Sequence, residues 1–473
     1  FERFQFTFPE QIESEHFIVH FTTSNADSQF VNEQWLNLQC NFGYAQSVIE
    51  LAEYALAIFM EADWEMMPPD CDEGITDEES PNHCNNFGGN ALYDIYLAND
   101  AVGLVAPENP YPVEPYIGGF TSFMQVTPLG NDHTFVPDWS VHVIAHELHH
   151  AIQIRYGTSV SGEPGNYAYN GWLYEQTSTY MENVIFPASY HFPVMMGNCN
   201  ITSPLTYPEI SIDSSVDIYQ YRSALWQKFL VEAYGDSTIN RLIWEGFGLE
   251  TATGNPVNMF PIYESALQTV TNGVTTLGDA YEDYALWRYF TGSRSRPGEF
   301  FMQAASYCTA NLLAIEETST TFPSEKGGAR LVKLLPYETN LVLASSAYDN
   351  LLVQHISFSE EDEILMSSIE VNGEESFFQL NNPAGDNHAL LITSEYTAEP
   401  GEEIEFTLAN TVPFIEGDIT GDSMVNIQDI IVQINIILHQ IDPTDYQWLA
   451  ADLDENNVVD VLDVILLVNL ILG

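Results

Sequence analysis

Two acidic segments near the C-terminal end are copies of one another: "GDITGDSMVNIQDIIVQINIIL" (417–438) and "ADLDENNVVDVLDVILLVNLIL" (451–472). In the first, oxygen-bearing side chains fall at Asp418, Thr420, Asp422, Asn426 and Asp429. In the second they fall at Asp452, Asp454, Asn456, Asp460 and Asp463. These are positions 1, 3, 5, 9 and 12 of an EF-hand-like loop, with Met424 and Val458 at position 7 offering a backbone carbonyl. Calcium is a hard cation that needs such a cage of oxygens, and an apolar stretch of helical length follows each loop. The repeat therefore demands two calcium loops, each leading into one helix. A pair of solvated acidic turns would have no reason to keep the same spacing twice.

Aspartate rather than glutamate at position 12, and one helix per loop, resemble a dockerin module. That resemblance covers nearly all of 417–473 and implies a cohesin-type partner in a cell-surface or multi-protein assembly. Two features depart from it. The positions where dockerins often recognise partners carry Ile427–Gln428 and Val461–Leu462, so the copies are not equivalent. Only "TVPFIEG" (411–417) separates the repeat from what precedes it, in place of a long Pro/Thr linker. Packing on its own chain as a calcium-stabilised cap is the alternative role for the module.

Upstream, "NLVLASSAYD", "LLVQHISF", "SFFQLNN", "HALLITSEY" and "EIEFTLAN" are short strand-like runs spaced by Gly, Pro, Asn and Asp, between about 320 and 412. Their spacing predicts a β-sandwich. Residues 1 to about 318 read as α+β. "FIVHFTT" (17–23), "YDIYLAN" (93–99) and "SFMQVTP" (122–128) are strand-like. Helical periods run over 32–63 and centre on 140–156, 171–185, 220–246 and 277–290.

Within that first region stands "VIAHELHHAIQ" (143–153). His146 and His150 are four apart, so a helix places both on one face, where both reach one ion. Glu147 completes H-E-x-x-H, the pattern in which the glutamate takes a proton from a metal-bound water. Pro137, Asp138 and Ser140 supply a helix start and Gly157 a stop. Downstream, "GWLYEQTSTYMENVIFP" (171–187) puts Glu175 and Glu182, seven apart, on one face of a second helix. Burying two carboxylates there demands a compensating partner, and a zinc ion on the neighbouring helix would be that partner.

"HELHHAIQ…WLYEQTSTYMEN" resembles the gluzincin clan of zinc metallopeptidases, in particular secreted bacterial members with HExxHAxQ and WxxExxAxWxE. The resemblance covers about residues 15–290. It implies a zincin-like fold, zinc held by His146, His150 and Glu175, and Glu147 as general base. Ser178 stands where Ala is usual and Tyr180 where Trp is usual, and neither change removes a ligand. Glu182 is the rival to Glu175 as third ligand, but is expected instead beside the ligands, orienting a histidine, with His142 one turn before His146 as a neighbour. His149 points away from the ligand face and is expected to pack or face solvent. Tyr219 and Tyr221 in "DIYQYRSALW" are candidates to donate a phenol to the tetrahedral oxyanion.

The expected architecture is thus multidomain. It comprises an α+β zincin-like catalytic domain (1–318), an antiparallel β-sandwich (319–413) and a small α-helical EF-hand-like domain (414–473). The expected activity is zinc-dependent hydrolysis of a peptide or protein substrate, with one zinc and two calcium ions. The competing class is a non-catalytic surface or assembly protein that binds through the sandwich and the calcium module. Charge narrows the partners further. With 11 basic against 68 acidic residues and a net charge of −57, the chain lacks the clustered cations that bind nucleic acid or anionic membrane. Such a surface suits a saline or calcium-rich exterior. No apolar run is long enough for membrane insertion. A start at Phe1 rather than Met suits a processed secreted protein. Of the five cysteines, Cys71 and Cys84 bracket the acidic loop "CDEGITDEESPNHC" and are a candidate pair. The odd count leaves at least one of Cys40, Cys199 and Cys308 over. The acidic residues of 70–79 have no regular ligand spacing and read as a solvated loop.

Overall fold

A computed structural model describes the chain except residues 1, 32–33, 72–82, 85–88, 99–101, 129–135, 139, 159–169, 190, 252–256, 316–319, 326, 335–339, 359–362, 381–386, 396–402, 411–414, 423, 444, 455, 457 and 473. Most of the acidic loop 70–79, and residues 411–414 of the short linker, lie outside the described residues. The chain divides into two compact units. One comprises Phe1–Tyr207 and Ile212–Ala310, the other Pro208–Ser211 and Asn311–Gly473.

The first unit is built on a five-stranded mixed sheet. Its strands are β1 (Glu10–Glu13), β2 (Phe17–Phe21), β5 (Tyr93–Tyr96), β6 (Gly103–Pro110) and β7 (Phe120–Val126), in the order β1-β2-β5-β7-β6. β2, β5 and β7 run parallel, and antiparallel strands β1 and β6 close the two edges. β3 (Ser28–Val31) and β4 (Gln34–Asn37) form a separate antiparallel pair. The helical period over 32–63 therefore overshoots at its start. Helix α1 (Phe42–Glu61) begins only after Asn41, whose side chain accepts from the Tyr44 amide at 2.9 Å. That cap satisfies one of the four amides a helix start leaves open.

α2 (Val141–Tyr156) and α3 (Gly171–Ile185) follow, and each is buried around most of its circumference. α4 (His191–Gly197), α5 (Tyr219–Arg222), α6 (Ala224–Tyr234), α7 (Ile239–Thr251), α8 (Met259–Val270) and α9 (Leu277–Tyr289) complete the unit. The period over 220–246 is thus cut into three helices. Gly235, at φ +67°, ends α6 in the left-handed conformation that a glycine adopts without a Cβ clash. α8 was not among the expected helices.

Arg3 is the central cation of this unit. It ion-pairs with Asp70 at 2.5 Å, with Glu108 of β6 at 2.6 Å and with Asp94 of β5. Disulfides join Cys71 to Cys84 and Cys199 to Cys308, and Cys40 is a buried free thiol.

In the second unit, two sheets face each other. One has the order β13-β12-β15-β10-β8, from β13 (Leu365–Ile369), β12 (Leu351–Phe358), β15 (Asn387–Ser394), β10 (Ala329–Lys333) and β8 (Leu313–Ala314). The other has the order β14-β11-β16-β9, from β14 (Glu375–Gln379), β11 (Asn340–Ala344), β16 (Glu403–Asn410) and β9 (Thr320–Glu325). Val332, Val353, Leu390 and Ile392 from one sheet and Leu341, Leu343, Phe406 and Leu408 from the other share one core, the signature of a sandwich. β8 pairs in parallel with β10, so the boundary expected at 318/319 falls instead at 310/311. The tail consists of α10 (Ile427–Ile437), α11 (Asp445–Ala451) and α12 (Val461–Leu472) around Ile419, Ile436, Ala450, Ala451 and Leu467. No helix among the described residues is long and apolar enough to cross a membrane.

Candidate metal centre

α2 carries its histidines at helical intervals, and α3 lies against it. His146 Nε2 stands 3.0 Å from Glu175 Oε2, and His150 Nε2 stands 3.5 Å from the same oxygen. The two imidazoles meet edge to face with centroids 4.7 Å apart. All three donor atoms lie within 4.8 Å of one another. Two imidazole nitrogens and one carboxylate oxygen converging on a point fit the three-ligand zinc set that keeps a fourth position open. The fourth side faces a cavity of about 260 Å³, lined by Glu147, Tyr221, Tyr174 and residues 103–105 of β6. A Cβ at Gly103 would overlap the Glu147 carboxyl, so a larger residue there would displace that side chain.

Surrounding groups bond the far sides of these imidazoles. His146 Nδ1 bonds Glu182 Oε1 at 2.7 Å, so Glu182 meets the ring nitrogen of His146 that does not face Glu175. His150 Nδ1 meets Gln153 Oε1 at 2.7 Å, and Ser178 Oγ at 3.2 Å. Ser178 thus adds a polar contact behind the His150 ring. His149 is fully buried, stacked on Phe59 with centroids 5.2 Å apart and edge-on to Trp64. It packs there, with Nδ1 3.1 Å from Ser178 Oγ and 3.0 Å from Gln153 Nε2, and is not one of the convergent set.

Electrostatics follow from burial and proximity. Burial raises the Glu147 carboxyl above its ordinary value, against the opposing pull of His150 and His146. Burial also opposes ionisation of Glu182, but hydrogen bonds from His146 and His191 overcome it and lower that carboxyl to about 2. Glu175 is likewise lowered, because the His150 charge and the His146 hydrogen bond outweigh its burial. Burial, then the Glu175 charge, raises the Tyr221 phenol and keeps it protonated.

The two tyrosine candidates separate. Tyr221 lines the cavity, with its ring 5.9 Å from that of His146. Tyr219 is fully buried and lines neither cavity at the site, so the structure does not bring it to the cavity beside His146, His150 and Glu175. The separation is set just upstream. Asp217 and Ile218 are both left-handed, at φ 54° and 57°, a conformation costing about 1–3 kcal/mol each in non-glycine residues. Arg222 offsets it by donating to Asp217 O at 2.8 Å and Thr202 O at 3.1 Å.

Several residues at the site were not foreseen, among them Tyr174 and Gln153. Gly103 comes from a strand about forty positions before α2, and a lone glycine carries no signal. His191 opens α4 and meets Glu182 Oε2 at 2.5 Å. A histidine nine positions beyond Glu182, after a break in the helical pattern, was its only trace. His142, the expected neighbour of His146, stacks on His191 with centroids 3.9 Å apart.

In the tail, Asp429 and Asp463 are wholly buried at position 12 of their loops. Asp429 accepts from the Thr420 and Asn426 amides at 2.8 Å each. Asp463 accepts from the Leu453 amide at 2.9 Å and the Asp460 amide at 2.8 Å. Asp418 gathers the Gly421 and Asp422 amides, and Asp452 the Asn456 amide. Asp452, Asp454 and Asp463 bring carboxylate oxygens within 4.8 Å of one another. Met424 and Val458 turn their side chains outward, exposed by 61% and 55%, as expected of residues that contribute only a carbonyl.

Residues 416–472 match the dockerin type I domain. The tail is a dockerin type I domain. Domains of this kind bind calcium and cohesin modules, and the proteins that carry them are typically extracellular. In this dockerin, Ile427, Ile431 and Leu438 of the first copy correspond to Val461, Ile465 and Leu472 of the second, and all six are more than half exposed. Residues 135–264, which include His146, His150, Glu175, Glu182 and Tyr221, match a family of unknown function, DUF6055. No curated protein matches the chain.

Proposed function

We propose that the first unit is a zinc metallopeptidase of gluzincin type, secreted and attached to a larger assembly through its dockerin. One observation carries the reading. His146, His150 and Glu175 converge on one point, and the cavity beside that point contains Glu147. Zinc bound there would supply Lewis acidity to an oxygen it meets. Glu147 takes the proton of the attacking water and returns it to the leaving amine. The burial that raises its pKa suits it to both steps. Tyr221, kept protonated by burial and by Glu175, donates to the oxyanion of the tetrahedral species. Glu182 holds the His146 ring in the tautomer that leaves Nε2 for the metal. β6 is the edge of its sheet and lines the same cavity, so an extended peptide can add to it as a further strand.

A purely structural zinc site has no use for an open cavity or for a buried carboxylate beside it, which speaks against the non-catalytic reading. Metal dependence tests the assignment. Glu175→Ala is expected to lose zinc and hydrolysis of an unfolded protein substrate together. A zinc-free variant that still cleaves would contradict it. The paired apolar faces of the dockerin support a cohesin-type partner. Ile427→Asp with Val461→Asp is expected to abolish capture by such a module while calcium binding persists.

A further inference from the structure

α2 presents three histidines at four-residue intervals: His142, His146 and His150. α3 presents Glu182 and Glu175, seven apart. The spans match, at about 12 Å along α2 and about 10.5 Å along α3. The helices run in opposite directions, because His150 meets Glu175 while His146 meets both glutamates. One end of this seam is the centre already described. The other end holds a second set of the same composition, completed from α4.

His142, Glu182 and His191 bring two imidazole nitrogens and a carboxylate oxygen within 4.8 Å of one another. The His142 and His191 rings lie face to face, 3.9 Å apart and 9° from parallel, so their nitrogens present at one edge of the stack. Glu182 stands at that edge, with Oε2 2.5 Å from His191 Nδ1. Its carboxylate is divided between the two ends of the seam, Oε1 going to His146 and Oε2 to His191. Glu182 is only 3% exposed, whereas the His191 side chain is 38% exposed. The donors therefore form a wall with a solvent-facing side, on a cavity of about 610 Å³ that also contains Val194, Met195 and Arg222. Solvent can complete a coordination shell there.

We propose that His142, Glu182 and His191 form a second transition-metal site, distinct from the set of His146, His150 and Glu175. The donors decide the metal class. Two imidazoles with one carboxylate favour zinc and its neighbours over calcium or magnesium, which take all-oxygen shells. Sharing Glu182 places the second ion beside the substrate cavity and ties its occupancy to the hydrogen bond that orients His146.

The test is zinc stoichiometry of the full-length chain, by equilibrium dialysis against micromolar zinc with millimolar calcium present to fill the dockerin loops. His191→Ala and His142→Asn each remove one donor of the second set, and His150→Ala removes one of the first. Thermal melting of the metal-free variants checks that each is folded. His191 is exposed enough that its loss leaves no buried void. Each second-set variant is expected to bind one zinc fewer than the parent chain, and His150→Ala with His191→Ala two fewer. If His191→Ala and His142→Asn bind as many zinc ions as the parent, the second site does not exist. If they lose one zinc while His150→Ala loses none, the second site stands and the zinc reading of the first fails.

Discussion

Arg3 shows how much can depend on one side chain in a chain with few cations. Its guanidinium meets Asp70, Asp94 and Glu108, and lies 5.3 Å from the centre of the Phe123 ring. Burial, then the nearby Asp94, raises the Asp70 carboxyl above its ordinary value, against the pull of Arg3. Removing one partner of a buried ion pair costs about 3–5 kcal/mol, because the remaining charges stay desolvated. Arg3→Ala is therefore expected to destabilise the first unit by about that amount, measured by denaturant unfolding. A change below about 1 kcal/mol would mean that water reaches these carboxylates freely. Because Glu108 belongs to β6, the same variant is expected to loosen the strand that lines the cavity beside His146 and Glu175.

At the scale of elements, the helical period made half of the site legible. His146 and His150 four apart on α2, and Glu175 and Glu182 seven apart on α3, follow from 3.6 residues per turn. Chain-distant elements were not legible in this way. β6 contributes Gly103 and α4 contributes His191, and neither position has a periodic or charged context. The choice of Tyr221 over Tyr219 depends on two left-handed residues that no propensity foresees. The sandwich strands β11, β12, β14, β15 and β16 were visible as alternating runs between turn residues. β8 was too short to register, which is why the domain boundary was placed late. The dockerin loops were the most legible elements, since oxygen ligands at fixed spacing leave little freedom. Each position-12 aspartate is wholly buried among backbone amides of its own loop. Asp429→Ala and Asp463→Ala are each expected to bind one calcium where the parent binds two, by titration calorimetry. An unchanged stoichiometry would remove these aspartates from the cage.

At the scale of the molecule, the candidate metal centre lies in one unit and the dockerin in the other. The first unit contains a long covalent bridge, Cys199–Cys308, with a sequence separation of 109. Closing a loop of that length stabilises by about 4–5 kcal/mol in the chain-entropy account. Reduction is expected to lower the melting temperature of the first unit while leaving the dockerin transition in place, as two calorimetric peaks would show. A drop in both would indicate that the units unfold as one. The charge of −57 implies that both peaks rise with added salt, as screening relieves self-repulsion. The central claim remains that Glu147 moves the proton in a zinc-dependent hydrolysis. It is tested most directly by assaying Glu147→Gln and the parent chain side by side for bound zinc and for cleavage of an unfolded protein. The account predicts equal zinc in the two proteins and a loss of at least about 100-fold in cleavage rate. Cleavage at the parent rate by a zinc-loaded Glu147→Gln would contradict it.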